Sequence, residues 1–263
     1  MTVQRASGSG TFTVVLFLLS LPVWVLASFV EGPAGAPMGI PLSALQFPMP
    51  LLAALILERR DRGPGAARRL FRTLLRLPPA GVRWWAIAVL LIPGLVLGAG
   101  VVHRLAGSPG GSLGAPLSAV PLLFLLFLPA GLAEELGWMG FAYGRFREDR
   151  GHLYRALVLG VIWAAWHLVP LMQAGRAATW ILAWTVGSVA LRVLIVWIYL
   201  DGGRTVLLPA VMHTMVNVSE SVYPDMTSPG SMTAVAAGFS VAAVPAARRL
   251  ARLGASGRAQ TRW

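Results

Sequence analysis

Long apolar runs alternate with short polar segments along the whole chain of 263 residues. A helix needs about 20 mostly apolar residues to cross the hydrocarbon core of a bilayer. The runs of near that length predict an all-α protein, a polytopic transmembrane helix bundle of about eight spans, with seven as the alternative count. The predicted spans are Thr11–Val30, Ile40–Leu57, Trp84–Val102, Leu117–Phe141, Ala156–Met172, Ala177–Leu200, Thr205–Val222 and Ser231–Ala247.

Composition agrees with this pattern, because hydrophobic residues make up 56% of the chain and charged residues only 12%. An ordinary soluble domain carries about twice that share of charge. So few charges cannot cover a water-facing surface, which excludes most classes of soluble enzyme. The chain has no cysteine, so disulfides, thiolate metal ligands and cysteine nucleophiles are excluded as well.

The net charge of +12 comes from arginines that lie mostly between the apolar runs. They follow the second span, from Arg59 to Arg83, and the fourth, from Arg145 to Arg155, and they recur in the tail from Arg248 onward. The positive-inside rule then places both termini in the cytoplasm. Loop arginines account for the charge, so we expect no nucleic-acid partner. We expect a single transmembrane domain over 1–263, a multi-pass protein of the cell membrane, and the arginine-, alanine- and glycine-rich composition suggests a bacterial plasma membrane.

Three of the predicted spans carry polar side chains that a bilayer disfavours. Glu134 and Glu135 lie in the fourth span, His167 in the fifth, and His213 and Asn217 in the seventh. An ionisable group near mid-membrane costs about 2.5–3.5 kcal/mol on insertion scales. Such groups therefore need internal partners or water.

The depths of these side chains agree. At a rise of 1.5 Å per residue, Glu135 lies about 15 Å along its helix from Arg145. By the same rise His167 lies about 18 Å from Arg155, and His213 about 14 Å from the arginine at 204. The three segments therefore predict one polar centre, nearer the cytoplasmic side.

This set of side chains suits hydrolysis. A carboxylate can act as general base on water, and a neighbouring imidazole can orient that water or carry its proton. A second histidine and a carboxamide can donate hydrogen bonds to an oxyanion. Three other interpretations stay open: helix contacts without chemistry, a proton relay or cation site, and a zinc site formed by Glu134, His167 and His213. No H-E-x-x-H helix supports the zinc site, so we expect no cofactor.

Three short sequences, AEELGWMGF, WAAWH and LLPAVMHTMVN, resemble the ordered motifs of the CAAX-protease and bacteriocin-processing family. Members of that family are intramembrane peptidases built as a bundle of about eight helices. The resemblance covers about 117–219, and the first hundred residues are similar only in hydropathy. It implies that Glu134 activates water with help from His167, that His213 and Asn217 form the oxyanion hole, and that Glu135 is a supporting carboxylate.

Two positions depart from the family pattern. Trp163 stands where the family has phenylalanine, which keeps an aromatic wall. Met139 stands where the family has an arginine that could pair with Glu135 at a spacing of four residues. Arg192, a charge in the middle of the sixth span, is our candidate for the missing cation. Alternatively, Met139 marks a member that has lost peptidase activity.

The predicted function is therefore an intramembrane endopeptidase that uses a glutamate-activated water and a His/Asn oxyanion hole. Its partners would be a peptide or membrane-protein substrate and the lipid bilayer. The second hypothesis is an inactive membrane scaffold, or an immunity-type partner for bacteriocins. The third is a proton-coupled transporter, which the lack of internal symmetry disfavours. The substrate and the oligomeric state stay open.

Overall fold

The computed structural model describes residues 8–30, 41–74, 81–107, 114–146, 150–223 and 228–260. Every regular element in these ranges is helical, as the sequence predicts. The start of the second predicted span, at Ile40, lies outside the described residues. The α-helices are α1 (Ser9–Ala27), α2 (Met49–Arg62), α3 (Ala66–Phe71), α4 (Val82–Leu105), α5 (Val120–Gly137), α6 (His152–Gln173), α7 (Ala178–Asp201), α8 (Leu207–Val222) and α9 (Pro229–Gln260).

Seven helical segments in the described ranges are long and apolar enough to cross a membrane, which confirms the polytopic bundle. Seven is the alternative count, and it differs from eight because the predicted span Thr205–Val222 is the 16-residue helix α8. At 1.5 Å per residue α8 is about 24 Å long, shorter than a hydrocarbon core of about 30 Å. The seven segments are Ser9–Ala27, Leu42–Arg62, Val82–Leu105, Leu117–Arg145, His152–Gln173, Ala178–Asp201 and Pro229–Gly254.

The short helix α8 lies inside the bundle, where it packs against α4, α5 and α7. Twelve of its 16 residues are buried. By contrast, α1 exposes apolar side chains such as Val14, Leu18 and Val25, which suits a surface in contact with lipid. Helix α7 packs against α6 and α9, and also against α8. The interior of the bundle is therefore formed by α8 together with the faces of α5, α6 and α7 that are directed inward.

Two glycines allow α5 to approach its neighbours closely. A Cβ at Gly131 would lie 2.6 Å from the Thr214 hydroxyl oxygen on α8, and one at Gly137 would lie 2.5 Å from the backbone of Pro50 on α2. A larger residue at either position would push α5 away, so both glycines fix where Glu134 and Glu135 stand. The small-xxx-small spacing of Gly94 and Gly98 predicts another close contact. Among the described residues the structure shows no such contact, since a Cβ at either glycine would meet none of their atoms within 4 Å.

Directly after Gly137 the regular helix gives way to a π-helical turn over Trp138–Ala142 and then a 3₁₀ turn over Tyr143–Arg145. The predicted span Leu117–Phe141 therefore does not stay α-helical to its end. Short π-helical turns often occur at functional sites. Met139 lies in this turn and is 1% exposed, so it packs as a core residue rather than facing water.

Candidate active site

The centre of the site is a buried chain of charged groups from three helices, which we call the buried ion-pair chain: Arg192, Glu135 and His213. Nη1 of Arg192 donates to both carboxylate oxygens of Glu135 at 2.9 Å. Nδ1 of His213 lies 2.9 Å from Oε1 of the same carboxylate. Glu135 and Arg192 are both 0% exposed. The contact expected of Arg192 is thus present, while its role in activity stays a prediction.

Aromatic rings complete the surroundings of Arg192. Its guanidinium carbon lies 4.9 Å from the ring centroid of Trp163 and 5.8 Å from that of Trp138. Nε and Nη2 have no hydrogen-bond partner among the described residues. The negative faces of the indole rings can stabilise such a cation. Gly160 on α6 gives it room, because a Cβ there would lie 3.1 Å from Cβ of Arg192.

Glu134, the neighbouring carboxylate, has a different environment. Its Oε2 accepts a hydrogen bond of 2.9 Å from the indole N–H of Trp163. Nε2 of His213 lies 3.9 Å from the same oxygen. The imidazole of His213 therefore stands between two carboxylates, with Nδ1 bonded to Glu135 and Nε2 turned toward Glu134. The sequence predicted different roles for the two glutamates, and their surroundings do differ.

His167 makes its contacts elsewhere. Its Nδ1 lies 2.9 Å from the backbone carbonyl oxygen of Trp163. Its ring packs against the rings of Trp163, Trp166 and Trp184, at centroid distances of 4.6, 4.7 and 5.2 Å. Among the described residues, His213 is the imidazole with a ring nitrogen within 4 Å of a Glu134 oxygen, and His167 lines the same cavity as Glu134. The assisting role of His167, implied by the resemblance alone, stays a prediction.

Sequence reasoning missed one functional contact. Trp163 was expected to supply only an aromatic wall, yet its indole N–H is the hydrogen-bond donor to Glu134. A usable signal was present, since a buried tryptophan normally finds an acceptor for its N–H. Phenylalanine at this position would lack that donor.

A cavity of about 830 Å³ opens beside Glu134. His167, His213 and Asn217 also line it, so the site residues of α5, α6 and α8 reach one space. Asn217 is one helical turn beyond His213, and its carboxamide makes no hydrogen bond with the described part of the chain. Most of the remaining wall is apolar, with Leu123, Leu126, Phe127, Trp180 and Trp184 among its residues.

The zinc alternative needs three converging ligands. Among the described residues no group of three histidine, aspartate or glutamate side chains is arranged to hold a metal ion. Within the proposed ligand set, Trp163 already occupies one carboxylate oxygen of Glu134. The expectation of no cofactor and the zinc alternative both stay predictions.

Comparisons with known proteins agree with the geometry. Residues 116–219 match the family model described as type II CAAX prenyl endopeptidase Rce1-like. The chain is also 25% identical over 227 residues to the CAAX prenyl protease 2 of Methanococcus maripaludis, over 78% of this chain and 81% of that protein. These matches confirm the resemblance that the three motifs indicated. The segment 116–219, which carries every predicted site residue, is therefore similar to the type II CAAX prenyl endopeptidase Rce1-like family.

Proposed function

We propose that this protein is an intramembrane endopeptidase in which Glu134 activates the water that attacks the peptide bond. One observation carries the proposal: of two adjacent carboxylates, Glu135 is neutralised by Arg192 in the core, while Glu134 faces the cavity beside His213 and Asn217. A carboxylate that borders a cavity and lies outside the ion pair of Glu135 with Arg192 is suited to accept a proton from water. The family match supports a membrane protease.

In the first step, a water molecule in the cavity transfers a proton to Glu134 as its oxygen bonds to the carbonyl carbon of the substrate. The hydrogen bond from Trp163 to Oε2 holds the carboxylate in place. The other oxygen, Oε1, then serves as the base. A fixed base in this geometry contributes about 10²–10⁴-fold to the rate.

The negative charge that develops on the carbonyl oxygen needs hydrogen-bond donors. Asn217 supplies its side-chain N–H. His213 can supply Nε2–H when both ring nitrogens carry protons, since Nδ1–H then donates to Glu135. A carboxylate behind an imidazole stabilises the imidazolium form. Glu135 would thus act through His213 and not on the substrate itself.

In the second step, the carbon–nitrogen bond breaks. Glu134 returns its proton to the leaving amine nitrogen, which restores the carboxylate and releases an acid and an amine. No covalent intermediate with the protein forms. This step and the first consume one water for each bond cleaved.

The cavity also bears on the substrate. Its apolar wall, from Leu123 and Phe127 to Trp184, surrounds the polar site. Such a wall favours a peptide that carries a large apolar group near the cleaved bond, because burying that group adds binding energy. The name of the archaeal relative, a CAAX prenyl protease, is consistent with a substrate of this kind.

Cleavage of a quenched fluorescent peptide library by the purified protein tests the proposal. Wild type, Glu134→Ala and Met139→Arg are compared, each with and without a metal chelator. We expect turnover by wild type that resists the chelator and disappears in Glu134→Ala. Loss with the chelator would instead favour the zinc alternative. Turnover only in Met139→Arg would favour the inactive scaffold.

A further inference from the structure

A second cavity, of about 370 Å³, lies at the end of α2 and α5, away from the active site. We call it the arginine pocket and define it by Glu58, Arg62, Arg69, Arg72 and Arg145, which line it. None of the described residues that line it also lines the active-site cavity. It is therefore a separate site with a chemistry of its own.

The base of the arginine pocket is an organised network of ion pairs. The buried carboxylate of Glu58 accepts hydrogen bonds from Arg69 at 2.8 Å and from Arg145 at 2.9 Å. Arg145 also pairs with Asp61 at 2.7 Å, and its guanidinium lies 4.4 Å from the ring of Phe141. Both acids are thus committed to the network, and the guanidiniums they hold are fixed in position.

Positive charge remains in excess. The four arginines of the pocket face two acids, Glu58 and Asp61, which leaves a net charge of about +2. Arg62 uses only Nη1 in an ion pair at 3.3 Å, and its side chain is 60% exposed. Arg72 makes no ion pair with any residue that the structure describes. Both guanidiniums therefore have donors left over for an anion.

The place of the pocket points to the kind of anion. It lies where two membrane spans end, at the face that the loop arginines predict to be cytoplasmic. Phe71, beside it on α3, is 43% exposed, as suits an aromatic side chain at the membrane interface. Guanidinium groups bind phosphate oxygens in a fork geometry. Basic pockets at this level bind the headgroups of anionic lipids.

We propose that the arginine pocket binds the phosphate group of an anionic phospholipid headgroup. The π-helical turn forms part of its wall through Gly140, and Gly144 follows in the next turn. A bound headgroup would therefore contact the segment that follows Glu135. Binding should raise the thermal stability of the protein.

The proposal is tested by adding increasing amounts of lipid to the full chain in detergent and measuring the bound lipid by native mass spectrometry. The pocket variant is Arg62→Gln with Arg72→Gln, and the control is Arg59→Gln with Arg68→Gln. All four positions are exposed and lie in the same segment, and the control pair does not line the pocket. We expect phosphatidylglycerol to bind wild type and the control within threefold of each other. A basic group near an anionic headgroup contributes about fivefold to binding, so the pocket variant should bind at least tenfold more weakly.

Two further arms separate the sources of the phosphate. Phosphatidylcholine, whose headgroup is neutral overall, should bind wild type at least tenfold more weakly than phosphatidylglycerol. Inorganic phosphate at millimolar concentration should not raise the melting temperature as the lipid does. Equal losses in both double variants would overturn the pocket as the site. Stabilisation by inorganic phosphate without any by the lipid would overturn the assignment to a headgroup.

Discussion

Glu134 and Glu135 are adjacent on α5, yet their side chains lie in different environments. Glu135 is fully buried, holds two hydrogen bonds from Arg192, and contacts His213. Glu134 borders the cavity and accepts one neutral hydrogen bond from Trp163. Neighbours on a helix differ in direction by about 100°, so one faces the core and the other the open space.

The difference in environment predicts that Glu135 contributes mainly to stability and Glu134 mainly to the reaction. Removing one partner of a buried ion pair leaves an uncompensated charge and costs about 3–5 kcal/mol. Glu134 borders the cavity and has no part in the ion pair with Arg192. We therefore expect changes at Glu134 to alter turnover with little effect on stability, and changes at Glu135 to lower stability in addition to any effect on turnover through His213.

The largest expected effect is on turnover in Glu134→Gln. Glutamine keeps the acceptor for Trp163 but cannot take a proton from water, so kcat should fall by about 10²–10⁴-fold. The matched control is Glu220→Gln, a carboxylate that lines the same cavity, and its kcat should stay within threefold of wild type. Equal losses in both variants, measured on one fluorescent peptide, would contradict a specific role for Glu134.

Removal of the oxyanion donor should have the next largest effect. Asn217→Ala should lower kcat by about 10²–10³-fold with little change in KM, since the lost hydrogen bond forms mainly in the transition state. Ser221→Ala, one turn further along α8 and also lining the cavity, serves as control. A change in KM alone would assign Asn217 to substrate binding.

On the buried side, Arg192→Met should reduce the free energy of unfolding by about 3–5 kcal/mol, because the buried carboxylate of Glu135 loses its guanidinium partner. Adding Glu135→Gln removes that charge and should restore part of the loss. The control is Arg249→Met, which breaks an exposed pair with Asp201 and should cost about 1 kcal/mol or less. Denaturation in detergent measures all three, and equal costs for the two arginines would refute the structural role of Arg192.

The smallest effect is expected at Met139. Since Arg192 already neutralises Glu135, Met139 serves as packing, and Met139→Leu should leave kcat within threefold and cost less than about 1.5 kcal/mol. Peptide cleavage and thermal unfolding measure both quantities. A gain of turnover in Met139→Arg would show that Glu135 lacks a cation in the native protein.

Helical periodicity and hydropathy were enough to predict the bundle and to single out the polar residues that line its cavity. Three segments carried charges at similar distances from their basic ends, and the structure brings Glu134 and His213 to one cavity. Depth depends only on the rise per residue, which is nearly constant. For that reason the sequence could predict that these side chains meet, while their depth in the membrane stays a prediction.

The rotation of each helix was harder to predict. The approach of His213 to Glu134 depends on how α5 and α8 pack, and close contacts such as that at Gly131 set this packing. The π-helical turn at Met139 breaks the period on which the expected pairing with Glu135 relied. The sequence predicted a span at α8 because the apolar run continues beyond the ends of that helix. Such features depend on tertiary contacts that a single sequence does not display.

The most direct test compares the two isosteric variants Glu134→Gln and Glu135→Gln in one preparation, with kcat and the melting temperature measured for each. Our account expects Glu134→Gln to lose turnover by at least a hundredfold and to melt close to wild type. It expects Glu135→Gln to melt clearly lower, because Arg192 then lacks its counter-ion. Full turnover in Glu134→Gln, with the loss confined to Glu135→Gln, would contradict the division of roles between the two carboxylates.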